Sequence, residues 1–387
     1  MRKIELDDTH KFFTRWFPEL APHAGRFHIM YMGSVVKMRP WILRPFLDVV
    51  DDIRRAFAEG KTHIVLNNWA ETMNGEWLAY GHRMSNQFPD VPADRFIYLT
   101  SGIDAEQDYQ EYTKKFKIKR PLKILATNLW ENFVREQIEV FTNNNIYKQT
   151  NFYQVGLRNK LCLFLNRNPR PHRIELLAHF FDNFLIWRSH VSFAGNFRSE
   201  PWKLTNSVLP ADSKVRTIIQ KNALKLPIVL NMKDGTENPI TIKSDDDQYF
   251  NTSYFSLVTE TLWQQEASYG IWEEFNGHFF SEKIFKPILM KHPFILASRP
   301  GSLAKLRSLG YRSFSPHIDE TYDTIHDPKA RIQAIISEVK RLGEFSDQEW
   351  IQWQKNVKEI VEHNYITLLF RYKPHDYEDL AAHLGLQ

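Results

Sequence analysis

FFSEKIFKPILMKHPFIL, Phe279–Leu296, is the stretch whose reading decides the fold. Ser281 is an N-cap residue type, and Glu282, Lys283 and Lys286 fall in the first turns of the helix it opens. The run His292–Ala297 reads as a buried strand, and Arg299-Pro300-Gly301 as the turn after it. A helix N-terminus beside a buried parallel strand is where α/β folds hold phosphorylated ligands. The free N–H groups and the helix dipole attract the anion, and a first-turn lysine adds a full charge. Glu282, next to that lysine, suits a pair of ribose or sugar hydroxyls.

On either side of this stretch, strands alternate with helices. Phe27–Met32, Thr62–Asn67, Arg95–Thr100 and Leu122–Thr127 read as strands. Pro40–Glu59, a segment near Glu76–Phe88, and Ala105–Phe116 read as helices, the first with Phe46, Val49, Val50, Ile53 and Phe57 on one face. Such alternation predicts a parallel sheet covered on both faces. The polar, irregular Thr142–Asn159 marks a domain boundary, after which the strand Leu161–Leu165 opens a second α/β unit with a helix from Ile174. Tyr254–Thr259, Pro293–Ala297 and Tyr311–Phe314 are its further expected strands, and Ser302–Leu309 a helix. Ser346 and Glu349 form a capping box, with Phe345 and Trp350 as a hydrophobic staple. The helix they start carries Trp350, Trp353, Val357, Ile360 and Val361 on its apolar face. The expected fold class is α/β with two Rossmann-like domains, residues 1–155 and 156–345, and a cleft between them. Residues 346–387 are expected as a C-terminal helix packing back on the first domain.

At 387 residues, two domains are the default, and 43% hydrophobic with 25% charged residues is ordinary for a soluble globular protein. Aromatics reach 14%, which fits large packed interfaces and also stacking surfaces for sugars or bases. The net charge of +4 permits an anionic partner without demanding one. A single cysteine, Cys162 in an apolar run, excludes a disulfide framework and a cysteine metal site. The charged start MRKIELDDTHKFF lacks the apolar core of a signal peptide, and no stretch reaches the length of a membrane span. A cytoplasmic, soluble protein is the expectation.

Several constellations could carry chemistry. Asn166-Arg167-Asn168-Pro169-Arg170-Pro171-His172-Arg173 follows a strand, and arginines at such a turn can clamp a diphosphate bidentately. Asp319 and Glu320 follow a strand too, and could hold hydroxyls or cap the next helix. Asp245-Asp246-Asp247 could hold a divalent cation, but no buried strand leads into it and three acids in a row read as a solvated loop, so no metal site is expected. Lys114–Lys123 holds six basic residues in ten and no acid. Lys114, Lys115, Lys117, Lys119 and Arg120 could grip nucleic-acid phosphate, or could be a solvated helix end. For a general base, Glu71, Asp104 and Glu131 all follow strands of the first domain, and His82 is a further option. Glu71 and Asp104 are the residues assigned that role.

The Ser281-Glu282-Lys283…Lys286-Pro287 helix, with His292-Pro293-Phe294 and Pro300-Gly301, resembles the donor-binding segment of the α-1,3-fucosyltransferase-like family, which starts its helix threonine–glutamate–lysine. The Asn166–Arg173 loop is similar to the arginine-bearing loop that opens that family's second domain, and to loops in bacterial and phage glycosyltransferase-like proteins. The resemblance runs in patches over Leu161–Asp327. It implies a GT-B fold with the donor site in the second domain and the acceptor side in the first, and metal-independent transfer from a nucleotide-diphosphate sugar with no cofactor. Asn166, Arg167, Arg170, Arg173, Ser281, Glu282, Lys283 and Lys286 are the donor-binding residues expected on this reading. The acceptor stays open between a hydroxymethylated base in double-stranded phage DNA and a glycan or lipid-linked sugar. A non-catalytic nucleotide- or glycan-binding protein of the same fold is the rival from another class.

Overall fold

The computed structural model describes residues 12–14, 17–31, 46–68, 73, 75–135, 153–166, 169–193, 213–222, 228, 230, 247–263, 277–371 and 379–386. The chain divides into two compact units: Met1–Asn132 with Gln265–Phe280 and Lys373–Gln387, and Phe133–Gln264 with Ser281–Tyr372. Each is an α/β unit on a four-stranded, wholly parallel sheet.

In the first unit β1 (Phe27–Tyr31), β2 (His63–Asn68), β3 (Phe96–Thr100) and β4 (Lys123–Ala126) lie side by side in chain order. Every residue of β2 and β3 is buried, the signature of strands covered on both faces. Between them run α1 (Phe46–Ala58), α2 (Gly75–Ser85) and α3 (Ala105–Lys115). α1 buries Val49, Val50, Ile53 and Ala56 against Ile64, Leu66, Phe96 and Tyr98 of the same core. Residues 379–386 belong to this unit as well: Asp379 caps a helical turn at Leu380–His383, and Arg26, Arg95 and His383 donate to Leu386 O, Gly385 O and Ile124 O respectively.

In the second unit the order is β6 (His190–Phe193), β5 (Lys160–Asn166), β7 (Ser253–Thr259), β8 (Phe294–Ala297). The chain steps from β5 to one side and then returns to the other, so the strand order reverses between β5 and β7. Ligands of open parallel sheets bind at the carboxyl ends of the strands at such a reversal. α4 (Pro171–Asp182) follows β5, α5 (Ser213–Lys221) precedes β7, α6 (Glu282–Leu289) precedes β8, and α7 (Ser302–Ser308) follows it. α8 (Pro328–Gly343) and α9 (Asp347–Phe370) complete the unit.

α9 starts as its sequence predicts, with the Ser346–Glu349 capping box and Phe345 against Trp350 at 5.2 Å between ring centroids. α9 belongs to the second unit, where Trp350 stacks on Tyr254 at 3.7 Å and Gln354 donates to Gly156 O, whereas 373–387 belong to the first. Tyr311–Phe314 is not a strand. The Arg312 main chain pairs with the Asn364 side chain and Phe314 N–H with Glu320 Oε1, which leaves no ladder for a neighbour. No helix among the described residues is long and apolar enough to cross a membrane.

Candidate functional site

The carboxyl ends of β5 and β7 bring together the Asn166–Arg173 loop and the start of α6, which the sequence joined only by analogy, with a third segment at Thr259–Glu260. β5 ends in buried Asn166, whose Oδ1 accepts from Thr259 Oγ1 at 2.6 Å at the end of β7. Asn166 Nδ2 is buried and has no hydrogen-bond partner among the described residues. Pro171 takes the first position of α4, where its fixed φ and missing N–H are tolerated, and sets His172 and Arg173 facing the end of β7. Arg173 Nη2 donates to Thr259 O at 3.0 Å and Glu260 O at 3.3 Å, and His172 Nε2 pairs with Glu260 O at 3.1 Å.

Glu260, unmarked in the sequence reading, is the centre of the site. It is fully buried, and its carboxylate accepts Ser281 N–H at 3.1 Å, Ser281 Oγ–H at 2.7 Å and Thr261 N–H at 3.3 Å. Ser281 Oγ in turn accepts from Lys283 N at 3.3 Å and Lys283 Nζ at 2.9 Å. Ser281 thus caps α6 while its hydroxyl proton is committed to Glu260. Its role is to hold the helix terminus, with Glu282 and Lys283 presented from the first turn. Lys283 Nζ also reaches Glu282 Oε1 at 3.1 Å.

The charges of this cluster are mutually felt. Burial raises the Glu260 carboxyl above its usual range, against the pull of Lys283 and the Ser281 hydrogen bonds. Burial alone would raise Glu282 too, but Lys283 and Lys286 outweigh it and hold that carboxyl below the usual range. Burial, then the neighbouring Arg170, lower the Arg173 guanidinium to about 9. Four cationic side chains (Arg170, Arg173, Lys283, Lys286) therefore stand against two carboxylates, an excess that suits an anion.

His172 is pushed well below its ordinary value by burial and by Arg173 and Arg170, so it is neutral at pH 7. Its ring stacks on Trp263 at 5.3 Å, and Arg331 lies over the same indole at 3.9 Å. With Nε2–H donating to Glu260 O, the other nitrogen, Nδ1, is a buried acceptor with no hydrogen-bond partner among the described residues. A buried donor on Asn166 and a buried acceptor on His172, both unmatched, sit at the same sheet edge. Natural structures leave few such groups without a ligand or water.

Of the other expected donor residues, Arg167 lies outside the described residues, as do Asn168, Asp245 and Asp246. Arg173 is inside the protein, tying α4 to β7, so the arginine placed to meet a ligand is the half-buried Arg170. Asp319 and Glu320 turn onto main chain: Asp319 Oδ1 accepts Thr321 N–H, and Glu320 takes Phe314 N–H.

In the first unit Glu71 lies outside the described residues. Asp104 lies just past β3, and its Oδ2 accepts from His278 N at 2.8 Å and meets His278 Nδ1 at 3.0 Å. Ile103 N–H donates to His278 O at 2.9 Å and Gly277 N–H to Asp108 Oδ2 at 3.0 Å, so a short strap fixes one imidazole. Asp104, expected as a base, holds His278, whose side chain is 21% exposed. A Cβ on Gly277 would lie far inside van der Waals contact with Asp108 Oδ2. Gly277→Ala is therefore expected to cost about 1–3 kcal/mol in urea unfolding, and an unchanged midpoint would show that the strap is loose. His82 is structural: Tyr109 O–H bonds its Nε2 at 3.3 Å while accepting Leu122 N–H at 2.6 Å. Arg120, expected among the phosphate-gripping residues, is spent on Pro89 O, Phe88 O and Val91 O at 3.0, 3.1 and 2.7 Å. Lys114, Lys115, Lys117 and Lys119 are exposed.

No family model matches the chain, and no curated protein matches it. Among solved structures, the Candida albicans trehalose-6-phosphate phosphatase N-terminal domain aligns with a TM-score of 0.40 at 10% identity, covering 99% of this chain and 83% of that one. A likeness that weak assigns neither fold family nor activity.

Proposed function

We propose that the β5/β7 site binds the diphosphate and ribose of a nucleotide-diphosphate sugar, and that the protein is a glycosyltransferase of the GT-B class. The observation that carries this reading is the buried Glu260, which clamps Ser281 and so fixes a cation-bearing helix terminus at the strand-order reversal. In the reaction an acceptor oxygen replaces the diphosphate at the anomeric carbon. The glycosidic C–O bond forms, the bond to the diphosphate breaks, and the acceptor hydroxyl gives up its proton.

Lys283, Lys286 and Arg170 would stabilise the charge gathering on the leaving diphosphate, where preorganised cations act most strongly. Glu282, kept ionised, would accept hydroxyl protons of the ribose or sugar. Asn166 Nδ2 and His172 Nδ1 supply a donor and an acceptor for polar ligand atoms. Asp104–His278 has the geometry of an oriented base: the carboxylate on Nδ1 fixes the tautomer and makes Nε2 the proton acceptor. The acceptor we propose is a hydroxymethylated base of DNA, supported by the exposed lysines at 114, 115, 117 and 119.

The test is thermal stability against uridine and guanosine diphosphate sugars. A ligand at about a hundred times its dissociation constant stabilises by roughly 2.7 kcal/mol. Lys283→Ala is expected to weaken the responding ligand about 10- to 100-fold, the worth of one charge-assisted hydrogen bond. Glu282→Gln, which keeps the side chain's shape, should weaken it as well. A panel that shifts nothing would sink the reading.

A further inference from the structure

α2 and α3 of the first unit leave an open groove of about 480 Å³. Arg83, Asn86 and Gln87 line one side and Tyr112 and Phe116 the other, with His82 at the base, and no lining residue is acidic. Arg83, Asn86 and Gln87 are exposed, and Phe116 keeps 43% of its surface in water. Tyr112 backs it at 4.6 Å between centroids. Behind Tyr112 the rings of His82 and Tyr109 lie within 14° of parallel to it, a stiff aromatic wall.

The chain on either side of Phe116 is cationic. Lys114, Lys115, Lys117 and Lys119 flank it in sequence and are all exposed, and Lys115 Nζ lies 5.1 Å from its ring centre. Lys117 takes a left-handed φ of 51° just past the end of α3. Arg120, next in the same segment, is bonded to three carbonyls of the 88–91 turn and ties the segment to it. Arg83 adds a further positive charge to the lining itself.

We propose that this groove binds single-stranded nucleic acid, with one base stacked on Phe116 and Tyr112 and the backbone phosphates on Lys115, Lys117 and Lys119. An exposed ring inside a positive groove is the arrangement by which strands are held, because every base has a face to stack. The amides of Asn86 and Gln87 offer paired donors and acceptors to a base edge. A duplex hides its base faces, so the groove favours a strand that is open. The inference concerns the first unit alone and stands whether or not the transferase reading holds.

Fluorescence anisotropy of the full chain with a labelled 12-nucleotide DNA strand tests it, beside the same sequence as a duplex and a mononucleotide. The single strand should bind most tightly, with log K falling linearly against log salt. Phe116→Ala should weaken it roughly tenfold, the worth of one stacked base. The double change Lys115→Ala, Lys117→Ala should lower the salt slope by about 1.4. These side chains are exposed, so an unchanged melting curve separates lost binding from lost fold. Binding of neither nucleic acid overturns the proposal, as does a duplex that binds equally well with Phe116→Ala silent. A mononucleotide as tight as the strand overturns it too, and reduces the groove to a nucleotide pocket.

Discussion

Glu260→Ala should destabilise the second unit by about 3–5 kcal/mol, because it strips the partner from groups held at the buried start of α6. Ser281 N–H, Ser281 Oγ–H and Thr261 N–H would lose their acceptor, and Lys283 a counter-charge. Glu260→Gln keeps the shape and one acceptor oxygen but turns an NH₂ group toward these donors, for an expected loss of about 1–3 kcal/mol. Urea unfolding at neutral pH measures both. Since the same carboxylate sets the start of α6, nucleotide affinity should fall with stability in the glutamine variant. A Glu260→Gln protein with an unchanged midpoint would show that something else fixes that terminus.

Acid should destabilise both units well above the pH at which ordinary carboxylates titrate. His63 of the first unit and His292 of the second are buried, and burial is the leading cause that lowers their imidazoles to about 4 and about 3. His172 is displaced in the same direction. A folded-state value below the unfolded one, near 6.5, means that the unfolded chain takes up protons first. The contribution is complete above about pH 6.5 and is lost as pH falls through the folded values. By pH 5, about 1.5 units below the unfolded value, His63 and His292 should each have cost about 2 kcal/mol. Glu260 runs the other way: its raised value adds stability at low pH that disappears as pH rises through it, a partial offset. Denaturation curves from pH 8 to pH 5 decide the matter, since a flat profile would mean that these rings are already charged or reach water.

The fold was legible where burial is two-sided. β2 and β3 carry the unbroken apolar runs Ile64–Leu66 and Phe96–Leu99 because both faces are covered, and the runs stand out without any partner in view. Ends written in local chemistry were legible as well, such as the Ser281 cap and the Ser346–Glu349 box. α8 carried such a mark, Asp327 as cap and Pro328 in the first turn, but the sequence reading assigned no helix there. β6 escaped because four residues of half-buried alternation are too short to stand out. At the site the helix and its lysine were readable, whereas Glu260 was not. An acid after a strand looks like any loop acid until Ser281, 21 residues on, closes against it. Asp104 and His278 are separated by 174 positions, and no local pattern links them.

The first unit is assembled from three separate stretches of chain, and the third, 373–387, follows everything else. During synthesis, a nascent chain of 372 residues already holds every strand of both sheets. Even so, Arg26, Arg95 and the Ile124 carbonyl still lack the partners in 379–386 that tie this segment to β4 and to the turns ahead of β1 and β3. The second unit, by contrast, has all of its residues by that point. The order of completion is thus the reverse of the order of translation, and the half made first is finished last.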